Sequence, residues 1–324
     1  MVFIMVAIGG YTRLTNSGLS IVEWKPVTGA IPPLSNEEWV GELEKYKESP
    51  EYNKINFGMT LEEFKEIYLV EYVHRLLGRI TGFVFFIPFL YFLITKNLNR
   101  TLVTRLSGIF ILGALQGAVG WYMVKSGLVD RPDVSHYRLT VHLLFAFLIY
   151  SLLFWSALEN WYYGHKKEIY SPVIRNISLT ITGLIFLQVA FGGLVAGLDA
   201  GLMYNTFPLM DGQLIPEGIL SLSPVMSNFT ENAITVQFTH RLIALVLLSF
   251  IIIFWIKIRL HETNSRIKFN SNILMVVICM QVALGICTLI YAVPMVVALV
   301  HQGFALVLLS TSMVVNYKIC GKVA

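Results

Sequence analysis

The stretch EYVHRLLGRITGFVFFIPFLYFLITK, Glu71 to Lys96, decides how this chain folds. After His74 and Arg75 it has only one more charge, Arg79, before Lys96. About twenty apolar residues in a row, wound as helix, cross the ~30 Å hydrocarbon core of a bilayer. QFTHRLIALVLLSFIIIFWIK, Gln237 to Lys257, has the same design, with His240 and Arg241 at its start. Outward from these two, apolar runs predict helices over Met1–Gly10, Leu69–Thr95, Leu106–Val124, Leu139–Leu158, Ile177–Leu198, Ala233–Ile256, Ile273–Val293 and Val296–Val315. The ten-residue first run is too short to span, and the recorded start is expected to omit part of helix 1.

Composition agrees with this reading. The 324 residues are 56% hydrophobic and 14% charged, with a mean hydropathy of +0.66, which excludes an ordinary soluble domain. A net charge of +4 needs no nucleic acid to explain it, and none is expected as a partner. The basic residues mark topology, because cytoplasmic loops are rich in Lys and Arg. They follow helix 2 (Lys96, Arg100, Arg105), helix 4 (Lys166, Lys167, Arg175), helix 6 (Lys257, Arg259, Arg266, Lys268) and helix 8 (Lys318, Lys322), and are absent after helices 5 and 7. Both termini are therefore expected in the cytoplasm.

The chain also repeats itself. Gly9-Gly10, Gly18 and the Trp24-Lys25-Pro26 turn match Gly192-Gly193, Gly201 and Thr206-Phe207-Pro208. His74-Arg75-Leu76 returns as His240-Arg241-Leu242, Gln116 and Gly120 as Gln281 and Gly285, and His142 as His301. The expected architecture is an all-α integral membrane protein of eight transmembrane helices, two pseudo-symmetric four-helix bundles in parallel orientation, divided as 1–158 and 159–324.

Four of the seven histidines, His74, His142, His240 and His301, fall inside even-numbered helices, three to seven residues after each predicted start. That places them at one depth, roughly 5–10 Å below the outer surface. A lone intramembrane histidine serves equally as an interhelical hydrogen-bonding residue or a ligand. Four at one depth, paired by a repeat, favour axial ligation of heme iron, two per bundle. His136, His165 and His261 are expected to be solvated. Arg75 and Arg241 suit either heme propionates or simple snorkelling to the interface. Glu71 lies on the His74 face, whereas the second half has Gln237 there, so only one half sets an ionisable group beside its presumed iron site. Pairing of Glu71 with Arg75 is the plainer alternative. Gly113, Gly117, Gly120, Gly192, Gly193 and Gly285 permit close helix packing or a flat macrocycle. Cys279 and Cys287 read as packing filler, and no loop disulfide is expected. The acidic segment Glu37 to Glu66 reads as a partner surface or a solvated linker, with the latter slightly favoured.

GGYTRLTNSGLSIVEWKPVTGAIPP from Gly9, EYVHRLLGR from Glu71, DVSHYRLTVHL from Asp133, YNTFPLMDGQLIP from Tyr204, QFTHRLIA from Gln237 and the His301 helix together resemble the heme A synthases over essentially the whole chain. The resemblance implies an inner-membrane oxidoreductase that converts the C8 methyl of heme O to the formyl of heme A for terminal oxidases. By that likeness His74 and His142 hold the substrate heme, Glu71 is the catalytic carboxylate, and His240 and His301 hold a heme b cofactor. The likeness further suggests a heme O synthase, oxidase assembly factors and an electron carrier as partners, with the histidine sites toward the periplasmic face. The loop cysteine pairs of some members are absent. The rival readings are a non-catalytic diheme cytochrome b linked to quinone and a heme carrier.

Overall fold

The computed structural model describes residues 1–25, 28–128, 132–162 and 170–320, and among these it is helical with no β-strand. Pro26, His165, Lys166, Lys167 and Lys322 lie outside the described residues. In chain order the helices are α1 (Val2–Leu14), α2 (Asn36–Lys47), α3 (Pro50–Lys54), α4 (Leu61–Ile94), α5 (Arg100–Gly127), α6 (His136–Trp161), α7 (Pro172–Gly197), α8 (Asn228–Glu231), α9 (Ala233–His261), α10 (Ser265–Ile290) and α11 (Met295–Cys320). Polar side chains fix where they start. Ser35 with Glu38, and Thr60 with Glu63, form reciprocal capping boxes. Asn99, Ser171, Asn232 and Asn264 accept backbone N–H groups at the starts of α5, α7, α9 and α10.

Seven of the described helices, α4 to α7 and α9 to α11, are long and apolar enough to cross a membrane, which makes this a multi-pass, all-helical membrane protein. The remaining expected helix, Met1–Gly10, falls in α1, which is not among the seven. Its 13 residues extend about 20 Å, short of the ~30 Å hydrocarbon core. The first long helix begins at Leu61 rather than Leu69, because its opening turns (Glu62, Glu63, Lys65, Glu66) are polar helix, invisible to a search for apolar runs. His74 consequently lies well inside its helix, farther from the helix start than expected. Outward-facing Phe83, Ile87, Ile111, Leu245 and Val276 are exposed, as lipid-facing side chains are.

The chain forms two compact units, Met1–Ala146 and Phe147–Ala324. In the first, α1 packs on α4 and α4 on α5. The acidic segment after α1 is folded rather than a solvated linker. Ile21, Leu43, Tyr46, Tyr52, Phe64 and Tyr68 form a buried cluster with Trp39 packed against it, the Trp39 ring standing edge-on to Tyr68 at 5.0 Å. Aromatic side chains bury large areas, and each such burial contributes about 1.5–3 kcal/mol. The charges of α2 stay at its surface, where Lys45 holds Glu42 at 2.8 Å and Glu23 at 2.9 Å.

In the second unit α7 packs against α9, α9 against α10, α10 against α11, and α11 against α7. A polar clasp ties the last pair. Ser178 donates to Asn316, Asn316 donates to Thr182 at 2.5 Å, and Thr182 and Ser312 share a hydrogen bond of 2.6 Å. Between apolar helices such bonds replace the hydrophobic force that lipid removes.

Candidate functional site

Each of the four intramembrane histidines rests against a glycine of a neighbouring helix. In the first unit His74 of α4 faces Gly9 of α1, and His142 of α6 faces Gly120 of α5. A Cβ on those glycines would stand 3.5 Å from the His74 Cε1 and 3.0 Å from the His142 Cε1. In the second unit His240 of α9 faces Gly192 of α7 and His301 of α11 faces Gly285 of α10, at 3.4 and 3.0 Å by the same measure. The missing side chain lets the edge of an imidazole lie against backbone, so the glycine sets where the ring can go. Within each unit the two imidazoles lie in electrostatic reach of one another, His74 with His142 and His240 with His301.

Polar neighbours complete each seat. Gln116 Nε2 donates to the His142 carbonyl at 3.1 Å, and Gln281 Nε2 to the His301 carbonyl, also at 3.1 Å. Thr12 Oγ1 lies 3.3 Å from His74 Nδ1, whereas Gln188 Nε2 lies 3.2 and 3.1 Å from the two ring nitrogens of His240. The units therefore share the glutamine contact at His142 and His301 and differ in what steadies His74 and His240. The Nδ1 atoms of His142 and His301 are buried without a hydrogen-bond partner among the described residues. A buried ring nitrogen of that kind is available to a group from outside the chain. No group of three or more His, Cys, Asp or Glu side chains that could hold a bare metal ion occurs among the described residues. A pair of imidazoles from neighbouring helices is instead a donor set that heme iron would take, and the residues fit heme.

The carboxylate side of the site is asymmetric in a way that the hydrogen bonds explain. Glu71 is 3% exposed. One of its oxygens accepts Ser20 Oγ–H at 2.7 Å and Ile21 N–H at 2.9 Å, and the other accepts Arg75 at 2.7 Å. Arg75 also donates to the carbonyls of Ile21 (3.0 Å) and Glu23 (3.4 Å). In the second unit Arg241 donates to the carbonyls of Tyr204 (2.8 Å) and Thr206 (2.9 Å). Tyr204 and Thr206 follow Gly192 by twelve and fourteen residues, as Ile21 and Glu23 follow Gly9. Each arginine thus clamps the loop after its half's first helix at matched carbonyls. The polarity between clamp and loop is reversed, however: Glu71 accepts the Ile21 N–H, whereas Gln237 donates to the Tyr204 carbonyl at 3.1 Å. A carboxylate at 237 would face an oxygen, which accounts for the amide there.

All four histidines and both arginines thus fall where the repeat sets them. The protein contacts of Arg75 and Arg241 are loop carbonyls, and Glu71 for Arg75. Arg75 still lines an open cleft of about 520 Å³ together with Arg79, Lys25, Lys45 and Glu42. Arg79 is an addition; it holds the Lys25 carbonyl at 3.0 Å and its repeat position is Leu245. Gly113 and Gly117 have nothing within reach of a Cβ, unlike Gly120, so only one of the three serves a histidine. Gly9 was legible as a seat only through its match to Gly192. His136 is buried, 7% exposed, and packs against Tyr137, contrary to a solvated position. His261 is exposed as expected. Cys279 and Cys287 are exposed on their helix, so they are not core filler.

Fold and site define a multi-pass membrane protein whose two units repeat one arrangement of glycine-seated histidines. The chain belongs to the family described as cytochrome oxidase assembly protein, whose model it matches over residues 1–313. It is similar to proteins named heme A synthase. With the one from Nitrosospira multiformis it shares 51% identity, over 98% of this chain and 90% of the relative. With that of Wolbachia pipientis subsp. Culex pipiens the identity is 47%, over 97% and 92%, and with that of Flavobacterium psychrophilum 46%, over 96% and 93%.

Proposed function

We propose that this protein is a heme A synthase, an oxidoreductase that takes heme O as substrate and oxidises its C8 methyl group to a formyl group in two successive steps. The observation that carries the reading is a buried carboxylate, Glu71, in one unit only, beside one of two matched histidine pairs. Kinship with heme A synthases over nearly the whole chain supports it.

In this reading His74 and His142 hold the substrate heme, and His240 and His301 hold heme b. Bound heme b supplies one-electron chemistry. The chain's own residues do the rest. The glycine seats orient the four imidazoles, and Gln116 and Gln281 hold the helix backbone at His142 and His301. Glu71 takes up or releases protons at the reacting carbon, or stabilises positive charge developing there. Arg75 keeps that carboxylate in place through their 2.7 Å contact. Arg75 and Arg79 offer the cleft-side charge for propionates, with Arg241 the counterpart in the other half.

The finer architecture belongs to the same proposal. It comprises eight spans, with α1 as the first, in two pseudo-symmetric four-helix halves divided near residue 158. The protein sits in the inner membrane, with both termini cytoplasmic and the histidines near the periplasmic face. It receives heme O from a heme O synthase, exchanges with a separate carrier the electrons that the oxidation of the methyl group moves, and delivers product toward oxidase assembly factors. The test is expression in a membrane host that supplies heme O, followed by chromatography and mass analysis of the extracted hemes. Heme A, or its alcohol precursor, is the expected product. Unmodified heme alone, in a folded, heme-loaded protein with a competent electron supply, would transfer the assignment to a diheme electron-transfer cytochrome.

A further inference from the structure

Outside the membrane spans, one buried carboxyl group has no part in the mechanism above. Glu51, in the five-residue helix α3, is 4% exposed. Its side chain turns inward, where Oε2 accepts the Tyr46 hydroxyl at 2.8 Å. Tyr46 in turn accepts Asn56 Nδ2 at 2.8 Å. No cation pairs with Glu51 among the described residues.

Among the described residues, the groups that face Glu51 are neutral or acidic. They are Tyr46 from α2, Glu71 from α4 and Asp133 from the segment before α6, with Tyr52 of its own helix and Tyr68 of α4 in the adjoining aromatic cluster. That cluster joins Glu51 to the reacting carboxylate. Tyr46 and Tyr52 pack with Ile21, and Ile21 donates its N–H to Glu71.

We propose that Glu51 is a positioning residue for Glu71: its proton keeps a second negative charge away from the Glu71–Arg75 pair, and loss of that proton sets the upper pH limit of the chemistry at Glu71. The proposal rests on the reading of Glu71 as the reacting carboxylate. Burial pushes the Glu51 carboxyl up to about 7; the Tyr46 hydrogen bond opposes that rise, and the charges of Glu71 and Asp133 add to it. Glu51 is therefore neutral below pH 7 and charged above it. Glu51 and Glu71 are close enough for their charges to act on one another, and a unit charge in such range, through an effective dielectric of about 20, changes an equilibrium by on the order of tenfold.

The first experiment follows heme A formation in membranes from about pH 6 to about pH 9 for wild type and Glu51→Gln, which keeps an acceptor for Tyr46 and cannot ionise. Equal rates below pH 7, with the wild type falling roughly tenfold above it and the variant staying level, support the proposal. An alkaline fall of the same size and midpoint in both proteins overturns it. The second experiment needs no turnover. Infrared difference titration of the resting, heme-loaded protein should show a protonated carboxyl band that disappears near neutrality in the wild type and is missing from Glu51→Gln. Lack of that band in the wild type overturns the proposal, whereas a titrating band in a protein that makes no heme A overturns the synthase reading instead. If Glu51→Gln does not accumulate, Tyr46→Phe replaces it. Removing the phenol donor should move the band's midpoint to higher pH, and an unmoved midpoint refutes the assignment.

Discussion

Replacing Glu71 with glutamine should loosen the loop after α1 without emptying the histidine seats. The carboxylate has two acceptor sides, one receiving Ser20 and Ile21 and the other receiving Arg75. A glutamine has one acceptor oxygen. If it faces Ser20 and Ile21, its NH₂ group meets the Arg75 guanidinium, and the charge-assisted bond is lost. Hydrogen bonds to charged groups contribute about 1.5–3 kcal/mol, and breaking a fully buried pair costs about 3–5 kcal/mol. Because the Arg75 side chain is 20% exposed and keeps the Ile21 and Glu23 carbonyls, the loss is expected near the lower range, about 2–3 kcal/mol. If the loop opens locally, that corresponds to roughly 30- to 150-fold faster exchange of the Ser20 to Trp24 amides. Hydrogen–deuterium exchange read by mass spectrometry measures this directly, with α10 and α11 as an internal reference. Glu71→Ala, which removes all three acceptor contacts, should open the segment further, retain heme and form no heme A. Unchanged protection at Ile21 in Glu71→Gln would show that Glu71 does not hold this loop, and normal heme A levels in Glu71→Ala would remove it from the mechanism.

Three further outcomes follow from the geometry. Gly120→Ala and Gly285→Ala should each displace their imidazole by a few tenths of an ångström, at about 1–3 kcal/mol, and shift the heme absorption bands. Gly9→Ala and Gly192→Ala, whose Cβ positions are less crowded, should do so less, and identical spectra for all four would contradict the seating. His240→Ala should deplete heme from the second unit while the substrate pair keeps its own spectrum; simultaneous loss from both pairs would argue against independent sites. Finally, the Glu51 carboxyl sits at about 7 in the folded protein against an ordinary 4.5. Its contribution to stability is therefore fully present below about pH 4.5 and lost as pH rises through 7, a change of about 3 kcal/mol. Heat inactivation of the wild type should accelerate across that window more than in Glu51→Gln, and parallel curves would count against the shift.

Periodicity and repeat revealed the histidines, because an imidazole in an apolar run is conspicuous and its partner in the other half confirms its register. Glu71 stood out against Gln237 for the same reason. What pattern could not supply was direction. Nothing in the residue types says that Ile21 would turn its N–H to Glu71 while Tyr204 turns its carbonyl to Gln237. Nor does the string of glutamates from Glu37 to Glu66 disclose that one of them, Glu51, is folded inward behind an aromatic cluster. Apolar runs locate lipid but not helix ends, so the polar opening turns of α4 were missed. Glycines were likewise countable without being assignable, since Gly117 and Gly120 read alike and only one meets a histidine.

The glutamine contacts to the carbonyls of His142 and His301 carry a mechanical meaning. Each joins two neighbouring helices at backbone level, Gln116 of α5 to α6 and Gln281 of α10 to α11. A side-chain contact can slide by a rotamer, but a bond to a helix carbonyl fixes axial register. A bilayer a few ångströms thinner or thicker must then be met by tilting each pair as a unit, at fractions of a kcal/mol per ångström of mismatch. His142 would keep its height relative to α5, and His301 relative to α10, in membranes of different thickness, which buffers each imidazole's surroundings against lipid composition.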